Sequence, residues 1–168
     1  MARKNIILCG FMGCGKSTIG SLLSKKMGMS FVDLDSYIEK HEGKSVSQIF
    51  ADSGEEYFRE KERQAAKTLA AKRGLVIAAG GGTLTFPENV AVLRGSGRII
   101  LLDVSAETVA DRLKNDTTRP LLAGGDKEKK ITELYNKRLP LYRAAADIVV
   151  DAGRSPMQVC AEIMSAVH

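Results

Sequence analysis

Short apolar runs alternate with longer segments of helical periodicity along this chain. Five runs rich in Ile, Val and Leu predict β-strands, at residues 5–9, 31–34, 75–79, 98–104 and 147–150. Between them, apolar residues three and four positions apart predict helices, at about residues 16–27, 35–41, 46–52, 54–72, 87–94, 106–114, 126–145 and 156–167. Because parallel strands need a crossover connection, this alternation predicts a parallel sheet with helices on both faces.

One segment interrupts the alternation: NDTTRPLLAGG, at residues 115–125, has no apolar periodicity and separates two predicted helices. It is polar and contains Pro120 and a pair of glycines, as loops do, and we expect a mobile loop there. No internal repeat or low-complexity linker divides the chain. The sequence therefore predicts a single α/β domain, residues 1–168.

Composition agrees with one folded domain. The 168 residues are 44% apolar and 27% charged, enough to bury a core without disulfides. The cysteines, Cys9, Cys14 and Cys160, lack metal-ligand spacing and predict free thiols in a reducing compartment. No apolar run approaches the roughly 20 residues of a membrane span, and the first is too short for a signal peptide. We expect a cytoplasmic monomer with no membrane contact.

The net charge of +5, from 25 Lys+Arg against 20 Asp+Glu, has two interpretations: nucleic-acid binding, or a pocket for a small anion. The basic residues are scattered along predicted helices among acidic ones, and no aromatic-rich surface accompanies them. This distribution favours the small anion over nucleic acid.

The clearest motif is GFMGCGKS at residues 10–17, which matches the phosphate-binding loop G-x-x-x-x-G-K-[ST] between a predicted strand and a predicted helix. Glycines let successive backbone N–H groups point at phosphate oxygens, and the helix N-terminus adds partial positive charge. We predict that Lys16 bridges the β- and γ-phosphates of ATP and that Ser17 offers a hydroxyl to Mg²⁺. The predicted nucleotide ligands are Gly13, Cys14, Gly15, Lys16, Ser17 and Thr18.

An ordinary glycine-rich turn is the weaker interpretation of that motif, because its strand and helix flanks are the expected ones. A redox role for Cys14, whose thiol lies near Lys16 and a helix N-terminus, is also the weaker interpretation. Phosphate binding uses only its backbone N–H, and a small side chain is the one evident requirement.

A phosphate-binding loop does not name the acceptor, so other segments must. FVDLD, at residues 31–35, places two carboxylates at the end of a strand, and alternation along a strand directs them to one face. Asp33 is suited to hold a magnesium-bound water, and Asp35 to accept a proton from an attacking hydroxyl. The alternative for Asp35 is a helix N-cap.

Two further segments bear on the acceptor. In EEYFREKE, residues 55–62, Arg59 and Glu62 lie one helical turn apart and can pair, although such a pair is usually found on the surface. In LVIAAGGG, residues 75–82, an apolar strand runs into three glycines, whose backbone can approach a ligand closely and donate to an anion or hydroxyl.

The chain carries six motif segments: GFMGCGKST at 10–18, FVDLD at 31–35, Phe58-Arg59 with Glu62, AAGGG at 78–82, RPLL at 119–122 and RLPLY at 138–142. Together they resemble shikimate kinases, of the nucleoside-monophosphate-kinase-like P-loop group, and the resemblance covers essentially the whole chain. It implies a three-layer α/β/α P-loop kinase fold with a five-stranded parallel sheet. It also implies a substrate-binding insertion at about 36–61 and a mobile ATP lid at about 115–125.

The resemblance further implies residue roles for transfer of the γ-phosphoryl group of ATP to the 3-hydroxyl of shikimate. Asp35 would hold the substrate hydroxyls and act as base, while Arg59 and Arg138 would bind the carboxylate and Gly80–Gly82 would line the pocket. Two guanidinium groups suit a carboxylate because each offers a planar, bidentate fork.

On the nucleotide side, the resemblance implies that Arg119 closes over the ATP phosphates and that Arg112 and Arg154 flank the adenine. An arginine on a loop punctuated by Gly and Pro suits lid closure, which supplies charge and excludes water only when substrates are bound. A solvent-exposed loop arginine is the alternative for Arg119.

Other functions remain open at this stage. Asp103 ends a predicted strand and imitates the strand-end aspartate of other P-loop proteins, but we expect no metal role for it because a helix beside the adenine site follows. A related kinase acting on gluconate or a nucleoside monophosphate is one alternative, and a catalytically silent nucleotide-binding module is another. The arginine pair, Asp35 and the three glycines favour shikimate.

Overall fold

A computed structural model describes residues 3–114 and 126–167. Its sheet has five parallel strands, as predicted, and each boundary lies within one residue of the sequence-based one. The strands are β1 Asn5–Cys9, β2 Ser30–Asp33, β3 Leu75–Ala78, β4 Gly97–Asp103 and β5 Ile148–Asp151.

Helices connect the strands. They are α1 Lys16–Met27, α2 Leu34–Glu42, α3 Val46–Ala70, α4 Pro87–Ser96, α5 Ala106–Leu113, α6 Lys127–Ala145 and α7 Pro156–Ala166, with a short 3₁₀ turn at Thr83–Thr85. The two helices predicted at 46–52 and 54–72 are joined in α3, but the chain bends at Gly54, whose φ of 83° and ψ of 172° are not helical. Glycine tolerates that backbone where other residues are strained. The predicted break between the two helices is therefore present as a kink within α3.

The strand order is β2-β3-β1-β4-β5, with β1 at the centre of the sheet. Ile7 of β1 lies opposite Ile77 of β3 and Ile99 of β4, and all three side chains are fully buried. From β1 the chain runs to β2 on one side, and from β3 it crosses to β4 on the other. In such sheets the crevice at the carboxyl ends of the strands beside this reversal is the usual ligand site.

Asn5 joins the end of the long helix α3 to the sheet through side-chain hydrogen bonds. Its buried amide donates to Lys72 O at 3.0 Å and accepts from Leu75 N at 3.0 Å, so the turn between α3 and β3 is held at the first residue of β1. The C-terminal end of α3 is thus fixed relative to the central strands, which matters because α3 carries part of the cleft.

Among residues 3–114 and 126–167, no helix combines the length and apolar character needed to cross a bilayer.

Candidate active site

The segment 10–17 curls between β1 and α1 as the motif predicts. Gly13 and Gly15 have φ values of 81° and 97°, in the left-handed region that favours glycine, and Cys14 N donates to Phe11 O at 3.1 Å. Gly15 is the N-cap of α1 and no side chain caps this helix. The first N–H groups of α1 are therefore left for an anion.

Lys16 and Cys14 show how the loop is held. Lys16 Nζ donates to Gly10 O at 2.6 Å and to Phe11 O at 3.2 Å, so the ammonium group lies over the loop rather than in solvent. The Cys14 side chain is buried, and a Cβ on Gly10 would come within 2.7 Å of its Sγ. Packing under the loop accounts for the small side chain at position 14, while Ser17 and Thr18 are exposed on the first turn of α1.

Asp33 links the loop to the end of β2. Ser17 Oγ donates to Asp33 Oδ2 at 2.8 Å, and Ser36 N donates to Asp33 Oδ1 at 3.0 Å. The helix cap considered for Asp35 is thus made by Asp33, and Asp35 lies in the first turn of α2. The alternation argument was wrong for Asp35, because the strand ends at Asp33, where the carboxylate satisfies an N–H of the new helix.

The residues present fit a magnesium ion. Ser17 and Asp33 offer adjacent oxygen atoms, and Mg²⁺ prefers oxygen ligands, keeps several waters and is usually bound through one or two carboxylates together with substrate phosphates. Within the described part of the chain, no group of three or more His, Cys, Asp or Glu side chains could hold a metal ion on its own. An ion that arrives with nucleotide phosphates needs no such group.

The three glycines after β3 are required by their neighbours. A Cβ on Gly80 would lie 2.7 Å from Asp35 Oδ1. A Cβ on Gly81 would lie 2.9 Å from Arg138 Nη1, and one on Gly82 would lie 2.6 Å from Arg59 Nη1. Each glycine therefore gives room to one polar side chain predicted for the acceptor site. The structure brings Asp35, Arg138 and Arg59 together against one stretch of backbone.

Arg59 is held from several sides. Its Nη1 lies 2.9 Å from Glu62 Oε1 and its Nε lies 3.3 Å from Glu55 Oε2, and the guanidinium stacks 5.4 Å from the ring of Phe58 and 5.5 Å from that of Phe86. The pairing predicted for Arg59 and Glu62 is confirmed. Glu62 is not a surface group, since only 1% of its side chain is exposed.

Glu62 also reaches the turn after the glycines. Thr83 Oγ1 donates to Glu62 Oε2 at 2.8 Å, and Asn89 Nδ2 donates to Thr83 O at 3.0 Å. All three side chains are buried. The Arg59 guanidinium is therefore anchored to the backbone that leaves Gly82.

These side chains line one cavity of about 620 Å³. Its polar lining includes Ser17, Asp33, Asp35, Arg59 and Arg138, and its apolar lining includes Met12, Phe50 and Phe58. A cleft of this size with a few convergent polar groups is typical of small-molecule sites. The Ser17 and Asp33 pair lies in the same cavity as the two arginines, so nucleotide and acceptor groups can meet there.

The residues predicted around the adenine are placed less closely together. Arg112 Nη1 donates to Gly13 O at 2.8 Å and so lies against the phosphate-binding loop. Arg154 Nε donates to Asp151 O at 3.1 Å, and its Nη2 pairs with Glu162 at 2.9 Å. Among the described residues, no hydrogen bond joins Arg154 to Arg112. Arg119 and the predicted lid at 115–125 lie outside the described residues.

Sequence reasoning missed three contributors to the cleft. Tyr142 donates its hydroxyl to Gly81 O, Phe86 stacks on Arg59, and Thr83 binds Glu62. Tyr142 had a signal, because it stands four residues after Arg138 on one helix, and such residues share a face. Phe86 and Thr83 had none, since their contacts depend on how the chain turns after β3.

The sequence of this chain is similar to those of known proteins. The family model for shikimate kinase matches residues 12–168. A shikimate kinase of Persephonella marina (strain DSM 14350 / EX-H1) is 44% identical over 166 residues, which is 98% of this chain and 99% of that protein.

The fold of this chain is also similar to those of solved structures. A shikimate kinase from Acinetobacter baumannii in complex with shikimate aligns with a TM-score of 0.94 and 32% identity, over 98% of this chain and 93% of that one. A gluconokinase from Sinorhizobium meliloti 1021 aligns with a TM-score of 0.62 and 16% identity, over 98% and 91%. At that identity the likeness shows a common fold and carries no argument about gluconate.

Proposed function

Because this chain belongs to the shikimate kinase family and transfers the γ-phosphoryl group of ATP to the 3-hydroxyl of shikimate, we propose that the cleft residues divide this reaction between an acceptor end and a nucleotide end. The products are 3-phosphoshikimate and ADP, in the pathway to chorismate and aromatic amino acids. The chain uses ATP with Mg²⁺.

The observation that carries the proposal is the triple glycine with its three packed side chains. Arg59 and Arg138 present two guanidinium groups to the cavity, and Asp35 contributes a carboxylate on the same backbone stretch. Two guanidinium groups suit one carboxylate, and one carboxylate suits a hydroxyl that must be oriented and deprotonated. The acceptor is therefore a polyol that carries a carboxylate, as shikimate does.

At the nucleotide end, the N–H groups of Gly13, Cys14 and Gly15 and of the first turn of α1 bind the phosphates, with Lys16 on the β- and γ-phosphates and Thr18 on a neighbouring one. Lys16 leaves its two loop carbonyls to do so. Ser17 and Asp33 would hold Mg²⁺, Asp33 through a bound water. When bound, the ion supplies positive charge to the phosphate oxygens.

The transfer itself is an in-line displacement. The acceptor hydroxyl oxygen forms a bond to the γ-phosphorus as the bond to the bridging oxygen breaks, and ADP leaves. Asp35 orients the hydroxyl and takes its proton. Because such transition states are loose, holding the hydroxyl in line matters as much as basicity. Lys16 and Arg119 stabilise the charge on the transferring group, Arg119 from the lid at 115–125.

Three further assignments complete the proposal. Arg112, on α5, and Arg154, just after β5, flank the adenine. The substrate-binding insertion comprises about residues 36–61, which contain α2 and the start of α3. The enzyme is a cytoplasmic monomer that binds neither nucleic acid nor membrane, and sedimentation equilibrium at micromolar concentration tests the monomer directly.

ADP release tests the acceptor assignment. With ATP and Mg²⁺ present, shikimate, gluconate, CMP and AMP are offered separately. Turnover with shikimate alone is the expected result. Turnover with another acceptor would contradict the substrate assignment but not the kinase activity. If no ADP were released with any of the four acceptors, only nucleotide binding would remain.

A further inference from the structure

Gly81 is held between two residues of α6. Tyr142 donates its hydroxyl to Gly81 O, and the guanidinium of Arg138 packs so closely on Gly81 that a Cβ there would lie 2.9 Å from Nη1. Arg138 and Tyr142 are four residues apart, so they project from the same face of the helix. One face of α6 thus fixes both the middle glycine and the arginine beside it.

The Tyr142 hydroxyl is suited to act as a permanent donor. The ring is 2% exposed and Arg138 is 7% exposed. Burial raises the pKa of Tyr142 above its ordinary value, and the positive charge of Arg138 and its hydrogen bond with the hydroxyl only partly oppose that rise. The hydroxyl therefore stays protonated at neutral pH and above it.

A donor on Gly81 O also orients the next N–H group. In a trans peptide the carbonyl and the following N–H point in opposite directions across one plane. With Gly81 O bound to α6, the N–H of Gly82 points away from that helix. The hydrogen bond thereby fixes the orientation of a peptide that lines the cavity.

We propose that Tyr142 is a positioning residue for the acceptor carboxylate: its hydroxyl locks Gly81 and, through the contact between Gly81 and Arg138, the angle of the guanidinium that binds the carboxylate. The inference rests on the proposed role of Arg138. It predicts that loss of the hydroxyl weakens recognition of the carboxylate and leaves the nucleotide end unchanged.

Tyr135 provides a matched control. It lies on α6 two turns before Tyr142, is 9% exposed, and donates its hydroxyl to Val104 O at 2.8 Å. Both tyrosines therefore donate one hydrogen bond to a backbone carbonyl. Of the two hydrogen bonds, only that of Tyr142 ends at one of the three glycines, Gly80–Gly82, that line the proposed acceptor site.

The experiment compares Tyr142→Phe with Tyr135→Phe, using shikimate and its methyl ester as acceptors. Tyr142→Phe should raise the KM for shikimate by about tenfold, as expected for one lost hydrogen bond, with the KM for ATP unchanged. Its kcat/KM with the methyl ester should equal that of the wild type, because the ester has no carboxylate to position. Tyr135→Phe should leave the KM for shikimate unchanged.

The outcomes separate this inference from the role of Arg138. An equal loss with acid and ester, or an unchanged KM for shikimate, would overturn the positioning role of Tyr142. If Arg138→Lys also fails to reduce the preference for acid over ester, the carboxylate assignment itself is wrong. If Arg138→Lys reduces that preference while Tyr142→Phe does not, only the positioning role falls.

A second variant tests the proposal if Tyr142→Phe does not fold. Replacing Tyr142 with 4-aminophenylalanine keeps a donor at the same ring position. This variant should fold and keep the KM for shikimate within about twofold of the wild type, since the bond to Gly81 O is retained. A folded 4-aminophenylalanine variant with a KM raised as far as tenfold would overturn the proposal.

Discussion

Ser17 and Asp33 are hydrogen-bonded to each other in the cleft: the serine hydroxyl of the phosphate-binding loop donates to the aspartate carboxylate at 2.8 Å. Asp33 also caps α2, so one side chain connects the nucleotide loop to the helix that carries Asp35. This shared role allows the metal function to be tested apart from folding.

Asp33→Asn should raise the Mg²⁺ concentration needed for half-maximal rate by about 10- to 100-fold, as is usual when a group that orients a metal ligand loses its charge. Asn is as good an N-cap as Asp, so the melting temperature should change little. A Mg²⁺ titration of initial rates at saturating ATP and shikimate measures the first effect.

Asp103→Asn is the control for that titration. Asp103 ends β4 and its carbonyl accepts from Ala152 N at 2.9 Å, so its backbone role survives the substitution. The Mg²⁺ dependence should stay as in the wild type. The reverse pattern, with Asp103→Asn inactive and Asp33→Asn normal, would move the metal role to β4.

Asp35→Asn should lower kcat by about 10²- to 10⁴-fold, the range for removal of a general base, because the amide neither takes the proton nor orients the hydroxyl as a carboxylate does. Lys61→Ala should change kcat little, since Lys61 Nζ lies 5.2 Å from the Tyr57 ring and Lys61 is not among the residues that line the cleft. Equal losses in the two variants would contradict the role of Asp35. Steady-state rates at saturating substrates decide between these outcomes.

Most of the fold follows from local patterns. The strand from Asn5 to Cys9 and the helix from Lys16 to Met27 have the predicted bounds, because the apolar run after Asn5 and a glycine-lysine motif leave little choice. The bend at Gly54 was also visible, since glycine interrupts a helical pattern.

The sequence indicated candidate residues of the cleft but not how they pack. The sequence named Asp35, Arg59 and Arg138, and the structure places each against its own glycine. Nothing local indicates that pairing, because it depends on α2, α3 and α6 meeting at the end of β3. The cap at Asp33 was missed because FVDLD offers two carboxylates, and which one accepts from the first turn of α2 depends on where the strand ends.

Glu62→Gln should destabilise the enzyme by about 2 kcal/mol, because it weakens the buried bonds to Arg59 and Thr83. The melting temperature should fall by about 4–8 °C, and the KM for shikimate should rise as Arg59 loses its anchor. Thermal unfolding and steady-state kinetics measure both effects.

Glu55→Gln is the matched control, since Glu55 also pairs with Arg59, at 3.3 Å, but is 54% exposed. An exposed pair contributes about 0–1 kcal/mol, so the melting temperature and KM should stay near the wild-type values. If Glu55→Gln raised the KM as much as Glu62→Gln, burial would not be what makes Glu62 the anchor.

Gly82→Ala should raise the KM for shikimate, because the new methyl would lie 2.6–2.8 Å from three atoms of the Arg59 guanidinium and displace it. Gly95→Ala is the control: it lies in α4 with nothing within 4 Å of a built Cβ and has no positive φ. This second change should stabilise the enzyme by about 0.4–1 kcal/mol with unchanged kinetics. A normal KM in Gly82→Ala would show that Arg59 can bind its ligand from another position.

Alkaline pH should destabilise the folded state through Cys9. Burial raises the pKa of this thiol from 9.0 to about 12, whereas the thiol of the unfolded chain ionises near pH 9. The stabilisation is complete below pH 9 and is lost as the pH rises towards 12, because only the unfolded state releases the proton. One such group can contribute a slope of up to about 1.4 kcal/mol per pH unit.

Urea unfolding at pH 8, 9 and 10 should therefore show a steeper fall in the free energy of unfolding for the wild type than for Cys9→Ala. The alanine variant should be less stable at pH 8, because it leaves a cavity in the central strand. Parallel curves for the two proteins would mean that the Cys9 thiol ionises in the folded state as readily as in the unfolded chain.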